Sequence, residues 1–238
     1  MKKLFNDGWS FKKTSIECTY ENAIKNNGWN RVDIPHDWLI YQAKSLYETS
    51  TGWYKKTFTL NKETAVYKLR FEGIYMDTVV YVNNSEAGEW KYGYSTFEID
   101  ISKYVVKGEN QVVVCVRHRE PNSRWYSGAG IYRNVYLIEH TDAYIKSDSV
   151  YFSTKKNNDV WDVKINSFAE KADGCKMVYR LKNAENGVAY EAECVCNEEH
   201  KFTIETPEIW DIDSPYLYTF DVEQLLGNIK KAVIYQTK

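Results

Sequence analysis

The feature that most constrains the fold is a series of short runs of β-branched and aromatic residues, separated by turn-forming residues. Val66–Phe71, Thr78–Val82 and Gln111–Arg117 are examples, and each borders a Gly- or Asn-containing turn. Runs of this length with little helical periodicity are typical of β-sandwiches and β-barrels. Aromatic residues make up 16% of the chain, including 20 Tyr, which also favours pleated strands. The sequence therefore predicts an all-β protein.

Two strand patterns indicate two packed layers. Gln111–Val116 is almost continuously apolar, which predicts a strand covered on both faces, whereas Tyr67–Phe71 alternates like a strand with one solvated face. We expect a single helical turn over Ser102–Val106 and an irregular N-terminal arm to about residue 50. The candidate strands of this part are Trp53–Leu60, Val66–Phe71, Thr78–Val82, Thr96–Asp100, Gln111–Arg117 and Asn134–Glu139.

A change of charge indicates a domain boundary after residue 140. The first 140 residues hold 19 Lys/Arg and 16 Asp/Glu, and the remaining 98 hold 12 and 17. We therefore predict domains at 1–141 and 142–238, the second with the rhythm of an immunoglobulin-like sandwich but without its Cys, Trp and Cys signature. Its candidate strands are Val150–Thr154, Trp161–Phe168, Lys176–Lys182, Glu191–Val195, Lys201–Glu205 and Leu217–Gln224.

Charge and apolar runs exclude some classes of function. A net charge of -2 gives no field that would attract nucleic acid, and no run approaches the roughly 18 apolar residues of a membrane span. The residues after Met1 become polar before a signal-peptide core could form, so we expect a cytoplasmic protein if Met1 is the native start, with export open otherwise. The five cysteines are predicted to be free thiols.

The chain contains none of the common catalytic motifs, including nucleophile elbows, phosphate-binding loops and zinc-protease helices. His118 and His140, on strands expected to be neighbours, are the best metal candidates but lack further ligands, so we predict no metal and no cofactor. Gly128-Ala129-Gly130 precedes a strand, which favours a tight turn over a phosphate site. Asp33, Asp37, Glu72, Asp77 and Asp100 are interpreted as turn, cap or edge-strand charges, and no pair stands out as the acid and nucleophile of a glycosidase.

Two segments are more specific than generic strands, Val32–Trp38 and Ser123–Val135. In the first, Pro35 restricts the backbone and Trp38 is a candidate core anchor. The second places one Arg and two aromatic residues ahead of the glycine turn, where a guanidinium fork and flat rings suit a polyhydroxyl ligand. Inward packing of the aromatic rings explains the pattern equally well. The candidate ligand-binding residues are Arg124, Trp125 and Tyr126.

The order and spacing of these segments resemble glycoside hydrolase family 2, which includes β-galactosidases, β-glucuronidases and β-mannosidases. The resemblance extends over nearly the whole chain. It rests on Asn6–Phe11, Val32–Trp38, Gly52–Phe58, Phe71–Ile74, Val80–Asn84, Gly93–Phe97 with Asp100, Gly108–Asn110, Ser123–Val135, Ile209-Trp210 and Ser214–Tyr218.

The resemblance implies a jelly-roll, galactose-binding-like sandwich followed by an immunoglobulin-like sandwich. A (β/α)₈ barrel with both catalytic glutamates would come third, so we expect this chain to be a non-catalytic N-terminal fragment. That barrel and a galactoside substrate are the implied partners, with a homo-oligomer also possible. Arg124 maps to a loop that reaches the sugar site in the family. Its Ser-Arg-Trp-Tyr form favours β-galactosidase over the branches with Asp nearby. The alternative is a free-standing carbohydrate-binding or adhesion module.

Overall fold

The computed structural model describes residues 1–25, 27–41, 44, 46–61, 66–122, 128–140, 143–226, 229–230 and 235–237. The chain forms two compact units, Met1–Thr141 and Asp142–Lys238. Both consist of antiparallel strands, and α1, Tyr20–Lys25, is the one helix that these described ranges contain. The predicted all-β class is confirmed. Within the same ranges, no helix has the length and apolar character that crossing a bilayer would require.

In the part that the structure describes, the first unit contains ten strands arranged in two sheets. The four-stranded sheet has the order β1-β10-β5-β8, and the six-stranded sheet has the order β3-β2-β4-β9-β6-β7 in the numbering that follows. The strands are β1 Lys2–Leu4, β2 Trp9–Thr14, β3 Asn30–Val32, β4 Ser50–Leu60, β5 Val66–Phe71, β6 Thr78–Val82, β7 Ser85–Trp90, β8 Phe97–Asp100, β9 Gly108–His118 and β10 Val135–His140.

The main core of this unit lies between the two sheets. Leu69 and Phe71 of the four-stranded sheet pack in one cluster with Val80, Val112 and Val114 of the six-stranded sheet. Strand β5 buries alternate residues, as its sequence pattern predicted. Burial of apolar surface is the main stabilising contribution, at about 25 cal/mol of free energy for each Å² removed from water.

Strand β9 is buried on both faces, also as predicted. Val112 and Val114 face the main core, whereas Val113 and Cys115 belong to a second cluster on the opposite face. That second cluster includes Ala23 from α1, so the helix and the chain around it cover the outer face of the six-stranded sheet. A strand between two apolar layers needs apolar residues at every position, which explains the run of valines.

Two local predictions for the first unit were wrong, and a strand was missed. The N-terminal arm is ordered, because β2 pairs with both β3 and β4 and forms part of the six-stranded sheet. Residues 102–104 form a turn instead of a helical turn, since the Asp100 carboxylate accepts a hydrogen bond from the Ser102 amide at 2.9 Å and competes with helical bonding. Strand β7 was missed because it is mostly exposed and lacks an apolar pattern.

Among its described residues, the second unit contains ten strands in three sheets. The sheet orders are β11-β14, β12-β13-β17 and β16-β15-β18-β19, with β20 also paired to β18. The strands are β11 Tyr144–Ile145, β12 Tyr151–Asn157, β13 Val160–Asn166, β14 Ala169–Glu170, β15 Cys175–Lys182, β16 Val188–Val195, β17 His200–Glu205, β18 Thr219–Leu226, β19 Ile229–Lys230 and β20 Tyr235–Thr237.

The core of the second unit lies between its two larger sheets. Val163 and Ile165 of β13 pack in one cluster with Met177 and Tyr179 of β15 and Phe220 of β18. The Tyr179 hydroxyl, which is buried with its ring, lies 2.7 Å from the Ser167 hydroxyl, so its polar atom is satisfied inside the core. All five cysteines of the chain are free thiols.

Candidate functional site

The three predicted ligand-binding residues, Arg124, Trp125 and Tyr126, lie in 123–127, outside the described residues. The structure does describe the chain on both sides of this segment. The preceding residues end β9 at His118 and continue to Asn122, and the following residues begin at Gly128. The contacts of these two flanks therefore define the base of the candidate site.

The first flank is anchored by a buried histidine. His118 is fully buried, and its Nδ1 lies 2.7 Å from the Glu48 carbonyl oxygen. Its Nε2 lies 3.4 Å from the Glu120 carboxylate and 3.3 Å from Nδ2 of Asn122. The Asn122 amide also donates to the Arg119 carbonyl at 2.6 Å. These contacts anchor the chain from His118 to Asn122.

The second flank is anchored by an aspartate. Oδ1 of Asp37 accepts hydrogen bonds from the amide of Leu39 at 3.0 Å and from that of Ala129 at 3.2 Å. The Trp38 amide in turn donates to the Ala129 carbonyl at 3.1 Å. Gly128 has φ +79°, a left-handed conformation that favours glycine. Asp37 therefore works as the predicted turn and cap charge.

The residues beside Asp37 are structural. Nδ1 of His36 lies 2.8 Å from the Tyr54 hydroxyl, and Tyr54 is fully buried. Burial lowers the pKa of His36 and raises the pKa of Tyr54 well above its ordinary value, so both groups are neutral at pH 7. Trp38 is buried as predicted, and its indole donates to the Ser50 hydroxyl at 3.1 Å. The segment therefore braces the second flank.

A charged cluster lies close to the first flank. The Asp77 carboxylate is 2.8 Å from the Lys91 ammonium and 3.8 Å from the guanidinium groups of Arg117 and Arg119. Lys91 is also 2.8 Å from the Glu89 carboxylate, and these hydrogen bonds raise the pKa of Lys91. One carboxylate among three cations fits the predicted role of Asp77 as a structural charge.

A group of aromatic side chains lies next to this cluster in sequence, at the end of β7 and on the chain that leads to β8. Trp90, Tyr92 and Tyr94 are exposed, and the Tyr94 ring lies 5.1 Å from the ring of the buried Tyr75. Tyr75 pairs with Gly130 through the backbone, which connects the aromatic group to the second flank. For the alternative of a carbohydrate-binding module, the sequence offers two candidate platforms: the aromatic residues of 90–94, or Trp125, which lies outside the described residues.

The histidine pair proposed as a metal candidate is not supported. His118 ends β9 of the six-stranded sheet, whereas His140 ends β10 of the four-stranded sheet, so their strands are not neighbours. Across the part of the chain that the structure describes, no three His, Cys, Asp or Glu side chains lie in a group able to hold a metal ion.

The second unit has an open apolar cleft of about 530 Å³. Trp161, Trp210 and Tyr216 are among its lining residues, and Glu208 is the one acidic residue among the described residues that line it. A retaining glycosidase needs two carboxylates about 5–5.5 Å apart. The cleft as described therefore lacks the chemistry of a hydrolytic site.

A cysteine and a histidine also meet in the second unit. The Cys194 thiol lies 3.1 Å from Nδ1 of His200, whose Nε2 lies 2.6 Å from the Tyr190 hydroxyl. Burial raises the pKa of the Cys194 thiol and lowers the pKa of His200, which favours the neutral thiol and imidazole. Because the thiolate is the reactive form, this arrangement works as a hydrogen-bonded part of the core edge and not as a nucleophile.

Sequence comparison identifies the family of the chain. Residues 14–141 match the sugar binding domain of glycosyl hydrolases family 2, and residues 140–235 match the family 2 domain that follows it. A β-galactosidase of Bacteroides ovatus is 31% identical over 90% of this chain and 28% of its own length. The chain belongs to glycosyl hydrolases family 2, and the predicted resemblance is confirmed.

Solved structures agree with this assignment. A β-glycosidase from Bacteroides vulgatus is 25% identical, with a TM-score of 0.81 over 100% of this chain and 33% of its own. A β-glucuronidase from Parabacteroides merdae, at 16% identity, shares the fold with a TM-score of 0.81 over 99% of this chain and 36% of its own. The predicted order of a jelly-roll and an immunoglobulin-like sandwich is thus confirmed. The chain spans about a third of the length of these proteins.

Proposed function

We propose that this chain forms the two β-sandwich domains of a β-galactosidase that hydrolyses terminal β-D-galactosides. The observation that carries the proposal is the Ser123-Arg-Trp-Tyr126 sequence, because overall identity does not separate the sugars: the Bacteroides ovatus β-galactosidase and a putative β-glucuronidase of Formosa agariphila are both 31% identical to this chain. The Ser123-Arg-Trp-Tyr126 sequence supports galactoside over glucuronide, because family resemblance associates this form with β-galactosidases. Fold alone would not distinguish the sugars, since the same sandwiches also occur in a β-glucuronidase.

In this proposal the sandwiches support catalysis without performing it. Hydrolysis with retention needs a glutamate that attacks the anomeric carbon and a second that protonates the leaving oxygen and then activates water. The family resemblance assigns both to a barrel domain. The first unit would contribute Arg124, whose guanidinium can donate several hydrogen bonds to sugar hydroxyls, with Trp125 and Tyr126 beside it.

The two anchored flanks are what make such a contribution effective. His118 and Asp37 hold the chain just before and just after 123–127 with buried or backbone hydrogen bonds. A binding residue on a preorganised support loses less conformational entropy when the ligand arrives. The ordered base therefore supports a role for Arg124 in ligand contact.

The experiment compares the complete product of the gene with residues 1–238. Both are assayed with nitrophenyl β-D-galactoside and with the matching β-D-glucuronide. We expect galactoside hydrolysis by the complete product and none by residues 1–238. In the complete product, Arg124→Ala should lower kcat/KM by about tenfold or more, equivalent to about 1.4 kcal/mol of transition-state stabilisation. Arg119→Ala, which changes an exposed arginine of the same flank, is the matched control.

Three results would contradict the proposal. Hydrolysis by residues 1–238 would place a catalytic pair inside the sandwiches. Preference for the glucuronide would reverse the sugar assignment. Sugar binding by residues 1–238, together with no hydrolysis by the complete product, would favour the carbohydrate-binding or adhesion module.

A further inference from the structure

The first unit has a group of exposed aromatic side chains that plays no part in the proposed function. Trp90, Tyr92 and Tyr94 are 38%, 62% and 51% exposed. They lie within five consecutive positions, 90–94, which run from the last residue of β7 into the chain that leads to β8. The rings of Tyr92 and Tyr94 lie 5.7 Å apart at 68°, so they present two differently inclined surfaces. Exposed aromatic residues in such density generally mark a binding surface.

The Trp90 ring is backed by buried aromatic rings. It stacks on Phe97 with 5.3 Å between centroids and 11° between planes, and Phe97 stacks on Phe71 at 5.1 Å. The Trp90 indole also donates to the Ser95 hydroxyl at 3.1 Å. The ring is therefore fixed in orientation while part of its surface remains in solvent.

The backbone between the two tyrosines is fixed as well. The Gly93 carbonyl accepts a hydrogen bond from the Tyr132 hydroxyl at 2.8 Å. A Cβ at Gly93 would lie 2.3 Å from the Tyr75 ring, which shows how closely this backbone packs on it. Burial and the hydroxyl of Tyr75 raise the pKa of Tyr94 to about 12, so its hydroxyl stays protonated. A rigid support reduces the entropy that binding would cost.

Polar groups border the rings on one side. Lys91 lies between Tyr92 and Trp90 in sequence, and its ammonium is 2.8 Å from the carboxylates of Asp77 and Glu89. Flat amphipathic rings beside fixed donors and acceptors match a pyranose, which has an apolar face of C–H groups and a rim of hydroxyls. Three partly exposed rings cover much less than the roughly 800 Å² per partner of a stable protein interface.

We propose that Trp90, Tyr92 and Tyr94 form a binding surface for the apolar face of a pyranoside, with the charged groups of Lys91 and Glu89 contacting its hydroxyls. The surface belongs to the first unit alone. It would bind sugar in this chain whether or not the chain forms part of a β-galactosidase, so the two proposals are tested separately.

The test measures binding of lactose and of a soluble β-1,4-galactan to residues 1–238 by calorimetry and by NMR of ¹³C-labelled tyrosine rings. For lactose we expect a Kd on the order of 1 mM, with shifts of the Tyr92 and Tyr94 signals. The double variant Tyr92→Ala/Tyr94→Ala should weaken binding about tenfold, because two stacking contacts are lost. Tyr151→Ala, which removes a similarly exposed ring of the second unit, should leave binding unchanged.

A second pair of variants separates stacking from local unfolding. Tyr92→Phe/Tyr94→Phe keeps both rings and should retain binding within about threefold, while circular dichroism confirms that the variants fold. The proposal would be overturned if neither sugar bound at concentrations roughly ten times the expected Kd. Equal binding by the wild type and the double alanine variant would also overturn it. Neither result would bear on galactoside hydrolysis by the complete gene product.

Discussion

The backbone amides of Tyr75 and Gly130 each donate a hydrogen bond to the carbonyl oxygen of the other residue, both at 3.0 Å. The pair connects the chain after β5 to the chain after 123–127. Gly130 has φ +128°, and a Cβ there would lie 2.4 Å from both the His36 carbonyl oxygen and the Tyr54 hydroxyl. Any other residue at position 130 would therefore disturb the second flank of the candidate site.

The first prediction concerns this close packing. Gly130→Ala should lower the free energy of unfolding by about 3 kcal/mol, because a strained backbone conformation and an overpacked contact each cost about 1–2 kcal/mol. Gly108→Ala is the control, since Gly108 has φ +100° but no atom within 4 Å of a Cβ. Gly108→Ala should lower the free energy of unfolding only by the cost of the strained backbone conformation. Urea denaturation measures both, and equal losses would show that packing at Gly130 is not important.

The second prediction concerns the Asp37 anchor. Asp37→Ala removes the acceptor for the amides of Leu39 and Ala129, so the Ala129 amide should exchange with deuterium faster. We expect a loss of about 1–2 kcal/mol in the free energy of unfolding. Asp33→Ala, which removes one exposed bond to the Gly8 amide, should cost less and leave Ala129 unchanged. Unchanged exchange at Ala129 in Asp37→Ala would refute the anchoring role.

The third prediction uses the buried thiol of Cys115. Burial raises the pKa of Cys115 to about 12 from an ordinary value of 9.0. Above pH 9 the unfolded thiol loses its proton while the folded thiol keeps it. The free energy of unfolding therefore falls with pH, by up to about 1.4 kcal/mol per unit from this group.

Cys115→Ala tests that dependence on pH. At pH 7 the free energy of unfolding should be lower in Cys115→Ala than in the wild type. This difference should decrease between pH 9 and pH 10.5, because only the wild type has a buried thiol that destabilises the folded state at alkaline pH. Val113→Ala, from the same apolar cluster, removes no titrating group, and its loss should stay constant with pH. Parallel behaviour of the two variants would mean that the Cys115 thiol is not protected in the folded state.

The fourth prediction concerns Arg180, whose guanidinium pairs with Glu191 on one neighbouring strand and with Glu223 on the other. Glu223 is buried, so Arg180→Met should cost about 2–3 kcal/mol by leaving that carboxylate without its guanidinium. Lys176→Met breaks the exposed pair with Glu193 and should cost no more than about 1 kcal/mol. Similar losses in thermal or urea denaturation would contradict the difference in burial.

Strands with strong local patterns were predictable from the sequence. Val66–Phe71 and Thr78–Val82 have the predicted bounds, because alternation or β-branching specifies a strand without help from distant residues. Strand β7 and the arm strands β2 and β3 were not predictable. Strand β2 depends on partners farther along the chain, β3 and β4. Strand β7 directly follows its partner β6, but it faces mostly solvent and so carries no apolar signal.

The candidate site was predictable in part. The sequence indicated Trp38 as a core anchor and Gly128 and Gly130 as turn residues, since bulk and positive φ are properties of single residues. It did not indicate that His118 would anchor the first flank, or that Tyr75 would pair with Gly130. Those contacts join residues far apart in the chain and depend on how its loops meet.

The sequence by itself determined the all-β class, the family and the doubly buried character of β9, because composition, motif order and an unbroken run of valines are local properties. Only the tertiary structure decided which face of β9 meets the helix and which polar groups are held by distant partners. It also decided that the Trp90 ring stacks on Phe97 and that the Tyr94 ring packs against Tyr75. Burial and hydrogen bonding between distant residues are set when the sheets pack, and no local pattern encodes them.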